Sequence, residues 1–244
     1  MATAKSASSR RRAAPSRTSR RTAGGVGILG GTFDPVHLAH LRVAEEVREA
    51  HGLDHIRLVP SAVPPHKRGT VAPAAHRLRM VERAVAGEAG LRAWDVELRR
   101  DGPSYSVDTL RTLRVELGAS RRIVFALGWD AFTEFHTWRE HAAIFALCDV
   151  VVVTRPPHPT SLALDDFPVA ARNAFHYDRL SAGFRHVSGH TVTLQPVTAL
   201  DISATDIRSR LRARRSIRFL VPDPVRRYID VHRLYAAPRR PRPA

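Results

Sequence analysis

The sequence predicts an α/β protein in which helices cover both faces of a mainly parallel sheet. Short apolar runs alternate with segments whose apolar residues recur at helical spacing. The runs "RIVFALG" (122–128) and "DVVVVT" (149–154) are rich in β-branched residues, as is typical of strands buried on both faces. Because strand–helix units repeat along the chain, we expect a single doubly wound, Rossmann-like domain.

The first half of the chain is predicted to contain three strands and three helices. Strands are expected at residues 26–30, 55–60 and 92–98, and helices from just after Pro35 to near Gly52, at residues 74–89 and at residues 104–118. In the first helix, Leu41, Ala44 and Val47 share one face. Gly118 marks the end of the third helix.

The second half continues the alternation. We expect strands at residues 122–128 and 149–154, a helix between them at 140–148, a short strand near 192–197, and helices from Ser203 and over 222–235. Residues 156–190 contain several prolines and histidines and show no clear period. No internal repeat is evident in the sequence.

Positive charge is concentrated at the two ends of the chain. The formal net charge is +16, but residues 1–25 carry seven Lys or Arg and no acidic residue, and residues 238–244 carry three more. We expect a disordered basic leader at 1–25, one domain at 26–235 and a basic tail at 236–244. A transit peptide is the alternative interpretation of the leader. The body is only moderately basic, which suits an enzyme that binds polyanionic small molecules.

Several classes of protein are disfavoured by the sequence. No segment reaches the roughly 18 apolar residues of a membrane span, and no signal peptide is recognisable. Cys148 is the single cysteine, which excludes a disulfide framework and a cysteine zinc site. We therefore expect a cytoplasmic protein without a membrane partner.

The segment "GILGGTFDPVHLAH" (27–40) combines the end of a strand with a glycine pair and two histidines. Gly30 and Gly31 permit a tight turn and a close approach of the backbone to a bulky anion. His37 and His40 lie three residues apart on the first turn of the following helix, where free amide groups and the helix dipole favour phosphate. A structural turn is the alternative for the glycines.

A zinc site is the other chemistry that two histidines suggest. Zinc-binding helices place His at i and i+4 with a Glu between them. Here the spacing is three, and Leu38 and Ala39 stand between the histidines. The pattern therefore favours phosphate over zinc.

The segment "DISATDIRSRLR" (201–212) suggests a second phosphate-binding helix end. Ser203 and Asp206 have the spacing of a capping box, so a well-capped helix is sufficient to explain that pair. Ser203, Thr205 and Arg208 also gather two hydroxyls and a guanidinium within one and a half turns. Such a group is suited to holding a triphosphate.

These two segments resemble motifs of the nucleotidyltransferase superfamily. "GGTFDPVHLAH" is similar to its G-G-[ST]-F-[DN]-P-x-H-x-G-H motif, and "ISATDIR" is similar to its distal I-S-[ST]-x-x-[IV]-R motif. The segments "VPPHK", "PSYSVDTL", "GWDAF", "FHTWREH" and "LVPDPVRRYIDVHRLY" resemble those of the nicotinate-nucleotide adenylyltransferases, in the same order. The resemblance covers about residues 26–235.

The resemblance implies a reaction and its site. Members of this family transfer the adenylyl group of ATP to nicotinate mononucleotide and release pyrophosphate, with Mg²⁺ bound mainly through the ATP phosphates. The attacking phosphate is already an anion, so no general base is required. The positions that match the family are His37, His40 and Arg208 for catalysis, Gly30, Gly31, Thr32, Phe33, Ser203, Thr205 and Asp130 for ATP, and His66, Lys67, Ser106, Trp138 and Arg139 for the mononucleotide, with no metal ligand.

Simpler explanations exist for some of these positions. Trp138 could be a core residue beside Phe135, Asp130 a helix N-cap, and His66 and Lys67 solvated loop residues.

The chain departs from the family at two positions. Ala39 replaces the usual Gly between the histidines, and Arg139 stands where an aromatic residue is common. Two alternative functions remain open at this stage. The first is another adenylyl or cytidylyl transferase that accepts nicotinamide mononucleotide or phosphopantetheine. The second is a basic nucleic-acid-binding protein, although no specific nucleic acid is expected because most of the excess charge lies in the tails. A homo-oligomer is possible.

Overall fold

The computed structural model describes residues 24–63 and 72–236. Eight strands are found in these residues: β1 (Gly25–Gly31), β2 (Leu53–Pro60), β3 (Leu91–Ala93), β4 (Ile123–Gly128), β5 (Asp149–Thr154), β6 (Phe175–Asp178), β7 (Gly183–His186) and β8 (Thr191–Pro196). They form one sheet in the order β3-β2-β1-β4-β5-β8-β7-β6.

The sheet is parallel from β3 to β8 and antiparallel at one edge. β1 pairs in parallel with both β2 and β4, and β5 continues the parallel pairing to β8. β7 and β6 then add an antiparallel hairpin beside β8. The prediction of a mainly parallel, doubly wound sheet is confirmed.

Seven α-helices lie within the described residues: α1 (Leu38–Ala50), α2 (Ala74–Val85), α3 (Ser106–Leu117), α4 (Trp129–Thr133), α5 (His141–Leu147), α6 (Ala204–Arg212) and α7 (Asp223–His232). One apolar cluster includes buried residues of α1, α2, α6 and α7, and a second includes those of α3, α4 and α5. The two clusters cover opposite faces of the sheet, as the alternating pattern predicted.

The prediction of a strand at 92–98 is largely wrong. The amide of Trp94 still donates to the Leu58 carbonyl at 3.0 Å, but the chain then turns, with the Leu98 amide bonded to the Asp95 carbonyl at 2.9 Å. The apolar run reflects burial of Val96 on this turn and not an extended backbone.

The hairpin of β6 and β7 was not predicted. Each strand has four residues, and Phe175 pairs with His186 at one end of the hairpin. A strand this short contains too few alternations for a period to be recognised. The predicted helix at 74–89 is also shorter, because α2 ends at Val85.

Some expectations concern residues that the structure does not describe. Nearly all of the leader and tail, together with His66 and Lys67, lie outside the two described ranges. Within those ranges, no helix is both long enough and apolar enough to cross a membrane.

Candidate active site

A cavity of about 290 Å³ opens where β1 and β4 end. These strands are neighbours in the sheet, so their carboxyl ends meet at one edge, where ligands bind in open α/β sheets. Six of the predicted site residues line this cavity: Gly30, Gly31, Thr32, Ser106, Trp138 and Arg139. The structure therefore brings residues from two of the predicted groups to one place.

The glycine pair lies at the end of β1. A Cβ atom at Gly30 would meet nothing within 4 Å, so the backbone there faces open space. A Cβ atom at Gly31 would lie 3.1 Å from the Phe33 ring, which is tight packing. Phe33 is buried and has a φ of 49°, in the left-handed region that non-glycine residues seldom adopt. The backbone of the turn is therefore accessible at Gly30, while the Phe33 side chain anchors the turn in the core.

The two histidines of the first motif stack on each other at the start of α1. Their ring centroids are 3.6 Å apart, with an interplanar angle of 26°. The backbone amide of His37 donates to Nδ1 of His40 at 3.2 Å. Since Nδ1 of His40 accepts this hydrogen bond, we assign its proton to Nε2, which can act as a donor.

His37 is uncharged at neutral pH. Burial, together with the nearby charge of Arg155, lowers the pKa of its imidazole to about 4. Its side chain is 5% exposed, and Nδ1 has no hydrogen-bond partner among the described residues. Two neutral rings can stack closely because no charge repulsion opposes the contact.

Arg208 of α6 reaches across to the loop that precedes α1. Its Nη1 donates to the Asp34 carbonyl at 2.7 Å and lies 4.0 Å from the Asp34 carboxylate. Its Nη2 donates to Oγ1 of Thr205 at 3.1 Å. The hydroxyl of Tyr235 donates to Oδ1 of Asp34 at 2.6 Å. The two predicted phosphate-binding segments therefore touch each other through Arg208.

Ser203 is the N-cap of α6. Its Oγ accepts a hydrogen bond from the Asp206 amide at 3.0 Å, while the Asp206 carboxylate pairs with Arg210 at 2.7 Å. Ser203 is therefore the N-cap, as predicted, but the reciprocal bond of a capping box is absent, because the Asp206 carboxylate pairs with Arg210. Thr205 is exposed beside it, on the first turn of the helix.

Aromatic and polar groups form the other end of the cavity. The Trp138 ring packs on the Phe135 ring at 5.0 Å and also lines the cavity. It is therefore part of the aromatic core, and its role as a substrate-binding residue stays a prediction. The Arg139 guanidinium lies 4.8 Å from the centre of the Tyr105 ring, a cation–π contact. Ser106 is the first residue of α3.

Asp130 lies apart from the residues that line the cavity. Its side chain is 87% exposed, and Oδ1 lies 3.5 Å from Nε2 of His158. The N-cap of α4 is Gly128, so the interpretation of Asp130 as a helix cap is wrong. Its assignment to the nucleotide site stays a prediction.

Sequence reasoning missed four residues of this region: Arg77, Glu97, Tyr105 and Tyr235. Glu97 and Tyr105 line the cavity, and burial raises the pKa of Glu97, whose Oε1 accepts from the Thr109 hydroxyl at 2.7 Å. A charged residue at a predicted buried position is the signal that marks Glu97 and Arg77. Tyr235 carries no comparable local signal.

Comparisons with known proteins agree with this geometry. Residues 28–210 match the family model described as Cytidylyltransferase-like. A probable nicotinate-nucleotide adenylyltransferase from Geobacter sp. is 44% identical over 216 residues, covering 88% of this chain and 99% of the relative. A protein of the same name from Pseudomonas fluorescens is 46% identical over 215 residues, covering 87% and 98%.

A solved structure has the same fold. It is that of Plasmodium falciparum nicotinic acid mononucleotide adenylyltransferase complexed with NaAD, which matches with a TM-score of 0.65 at 19% identity and covers 87% of this chain and 97% of that one. Both the sequence relatives and the family model span most of the described domain. The chain therefore belongs to the cytidylyltransferase-like family and, within it, to the nicotinate-nucleotide adenylyltransferases.

Proposed function

We propose that this protein transfers the adenylyl group of ATP to nicotinate mononucleotide, forming nicotinate adenine dinucleotide and pyrophosphate in NAD biosynthesis. The observation that carries the proposal is that the Gly30–Thr32 turn and the Trp138 ring line the same cavity. Such a cavity can hold a phosphate at one end and a flat ring at the other. The name shared by the curated relatives supports the same reaction.

Catalysis is proposed to depend on positioning and on charge stabilisation. The phosphate of the mononucleotide attacks the α-phosphorus of ATP, and pyrophosphate leaves with the bonding electron pair. The attacking oxygen is already ionised, so the neutral histidines need not remove a proton. His40 is suited to donate from Nε2 to a phosphate oxygen, because its Nδ1 is occupied by the His37 amide.

His37 and Arg208 are proposed to complete the ATP phosphate site. Arg208 supplies a permanent charge, and its contacts with Asp34 and Thr205 fix the orientation of the guanidinium plane. His37 is neutral without a ligand, but a neighbouring polyphosphate would raise its pKa and favour its protonated form. Gly30, Gly31, Thr32, Phe33, Ser203, Thr205 and Asp130 are assigned to the same nucleotide.

The mononucleotide is proposed to bind at the aromatic end of the cavity. The ring of Trp138 offers a stacking surface for the pyridine, and Ser106 with the first amides of α3 can donate to the nicotinate carboxylate. Arg139 lies on the Tyr105 ring at the same end. His66 and Lys67, outside the described residues, are also assigned to this substrate.

Mg²⁺ is proposed to enter as part of the substrate, bound to the ATP phosphates. Magnesium is commonly held by phosphate oxygens and water with few protein ligands. The described residues contain no group of three His, Cys, Asp or Glu side chains arranged to hold a metal. The groups at this site are mainly N–H donors, which suit phosphate oxygens and not a cation.

The test is direct incubation of the purified protein with MgATP and one of three acceptors. Nicotinate mononucleotide should give equal amounts of nicotinate adenine dinucleotide and pyrophosphate, measured by chromatography. Nicotinamide mononucleotide and phosphopantetheine test the alternative transferases, and CTP in place of ATP tests cytidylyl transfer. Faster turnover with any of these substitutes would contradict the proposal. A His40→Ala sample controls for contaminating activity.

A further inference from the structure

Arg77, on α2, is a buried arginine bonded to three separate segments. Its side chain is 0% exposed, and its guanidinium donates only to main-chain oxygens in the described contacts. Nη1 donates to Thr32 at 2.7 Å, Nη2 to Ala62 at 3.1 Å and Nε to Ala72 at 3.1 Å. Thr32 belongs to the turn that lines the active-site cavity, and Ala62 follows β2.

The charge of Arg77 is poorly compensated. Burial lowers the pKa of its guanidinium, and the charge of Asp34 only partly opposes that effect. No carboxylate of the described residues forms an ion pair with Arg77, whereas buried arginines are normally paired with an acid. A hydrophobic residue would fill this space without the same desolvation, so packing alone does not explain an arginine here.

The carbonyl contacts determine which way two peptide groups face. In a trans peptide the C=O of one residue and the N–H of the next point in opposite directions. Because the Ala62 oxygen is bonded to Arg77, the Val63 amide faces the other side, where it donates to Oγ of Ser104 at 3.3 Å. By the same geometry, the bond from Arg77 to the Thr32 oxygen directs the Phe33 amide away from Arg77.

The peptide between Thr32 and Phe33 needs such a restraint. Phe33 has the left-handed φ of 49°, a conformation that other parts of the structure must hold in place. If this peptide rotated, the Thr32 oxygen would exchange places with the Phe33 N–H. A donor to phosphate would then be replaced by an oxygen that repels phosphate.

We propose that Arg77 is a positioning residue for ATP: by holding the Thr32 carbonyl, it directs the Phe33 amide at the phosphates. The inference rests on the proposed function, since it takes the ligand of this turn to be the polyphosphate of ATP. Arg77 itself touches no substrate. Arg77 should therefore contribute to the affinity for the phosphate part of the nucleotide and not to the affinity for the nucleoside part.

The experiment compares Arg77→Lys with the matched control Arg114→Lys. Arg114 also donates to main-chain oxygens, those of Gly118, Ala119 and Arg121 at 3.1, 3.1 and 2.6 Å. These residues precede β4, at the amino ends of the parallel strands and so opposite the cavity. Lysine keeps the charge and loses the planar fork that reaches several carbonyls. Binding of ATP and of adenosine to each protein is measured by equilibrium dialysis, with thermal denaturation recorded in parallel.

We expect Arg77→Lys to lower the ratio of ATP affinity to adenosine affinity by about tenfold or more, the scale of one hydrogen bond to a charged group. Arg114→Lys should leave the ratio unchanged even where it lowers the melting temperature. An unchanged ratio in Arg77→Lys would overturn the inference and leave a purely structural role. A wild-type protein that binds ATP no better than adenosine would overturn the proposed function and this inference with it.

A second measurement applies if the lysine variant does not fold. Arg77→Gln retains one amide donor and is judged by the same ratio. In the wild-type protein, the amide resonance of Phe33 should shift on addition of ATP and stay in place with adenosine. A Phe33 resonance that ATP does not shift would overturn the inference without any variant.

Discussion

Two arginines at the amino ends of the parallel strands, Arg121 and Arg122, have different partners from Arg77 and Arg208 at the carboxyl ends. At the amino ends, Arg122 pairs with the Asp149 carboxylate at 3.0 Å, and Arg121 pairs with Asp54. At the carboxyl ends, the guanidinium groups of Arg77 and Arg208 donate their short hydrogen bonds to main-chain oxygens. The first two arginines are bonded to carboxylates, whereas the other two are held mainly by carbonyl groups, with the Asp34 carboxylate 4.0 Å from Arg208. We expect the ion pairs at the amino ends to contribute mainly to stability, and we propose that Arg208 binds phosphate while Arg77 orients the turn after β1.

The same contrast holds for histidines on a single helix. His40 lies in the first turn of α1, and His51 is the C-cap of the same helix, at the amino ends of the strands. Burial lowers the pKa of His51, as it does that of His37 in the first motif, so a lowered pKa does not by itself mark a site residue. We expect the surroundings of each histidine to decide its role. His40 stacks on His37 and packs against Phe33 of the turn after β1, whereas the carbonyl of His51 accepts a hydrogen bond from Arg122 at 2.8 Å.

The largest expected effect comes from breaking the ion pair between Asp149 and Arg122. Burial alone would raise the pKa of Asp149, but hydrogen bonds from His190, the Thr191 amide and Arg122 hold it below its usual value. Asp149→Ala should lower the free energy of unfolding by about 3 kcal/mol or more, because it leaves these partners unsatisfied. Urea denaturation measures the loss. Turnover at temperatures well below the melting point should stay within about twofold of wild type. This result would distinguish residues at the amino ends of the strands from those at the carboxyl ends.

The next effect comes from a substitution at the carboxyl ends of the strands. His40→Ala should reduce turnover at least about a hundredfold, the scale for losing a donor to a charged transition state. That factor corresponds to about 2.7 kcal/mol of barrier, with little change in the melting temperature. His51→Ala is the matched control and should retain activity. Comparable losses in the two variants would remove the distinction between the helix ends.

Acidification tests the buried neutral state of His37. Its folded pKa of about 4 lies below the ordinary value of 6.5, so between these pH values the unfolded chain binds more protons. Stability must therefore fall as the pH decreases from about 6.5 towards 4, by about 2 kcal/mol from this group between pH 7 and 5. Denaturation of wild type and His37→Gln at both pH values measures the difference. Equal pH dependence in both proteins would contradict a buried neutral His37.

A smaller effect is expected at Arg208. Arg208→Lys keeps the charge but loses the planar fork that contacts the Asp34 carbonyl and Thr205. We expect kcat/KM for ATP to fall about tenfold. Arg210→Lys, two residues further along α6 and paired with Asp206, is the control. Full activity in Arg208→Lys would show that charge without geometry is sufficient here.

The smallest effect concerns selectivity for the acid over the amide mononucleotide. The Arg139 guanidinium lies on the Tyr105 ring, which favours discrimination by Ser106 and backbone amides. Arg139→Ala should then leave the ratio of kcat/KM values nearly unchanged. If the guanidinium binds the carboxylate instead, the ratio should collapse by about tenfold or more. Steady-state kinetics with both mononucleotides decides between the two.

Local patterns predicted the elements whose residues alone carry the signal. The run of four valines in β5 strongly favours an extended strand. Ser203 is the N-cap of α6, as its spacing predicted. The strand expected at 92–98 failed because burial of Val96 and Glu97 on a turn imitates a buried strand. The four-residue strands of the β6–β7 hairpin are stabilised by cross-strand pairing, which no local period expresses.

The sequence by itself determined the sheet's core, the glycine turn after β1 and the pair of histidines three residues apart, because each depends on neighbours along the chain. Tertiary structure alone decided which distant groups hold that turn. Tyr235 and Arg208 reach Asp34 across 201 and 174 residues, and Arg77 reaches Thr32 across 45. No local preference encodes such contacts, since the free energy that orders them comes from burial and pairing of groups that only the complete fold brings together.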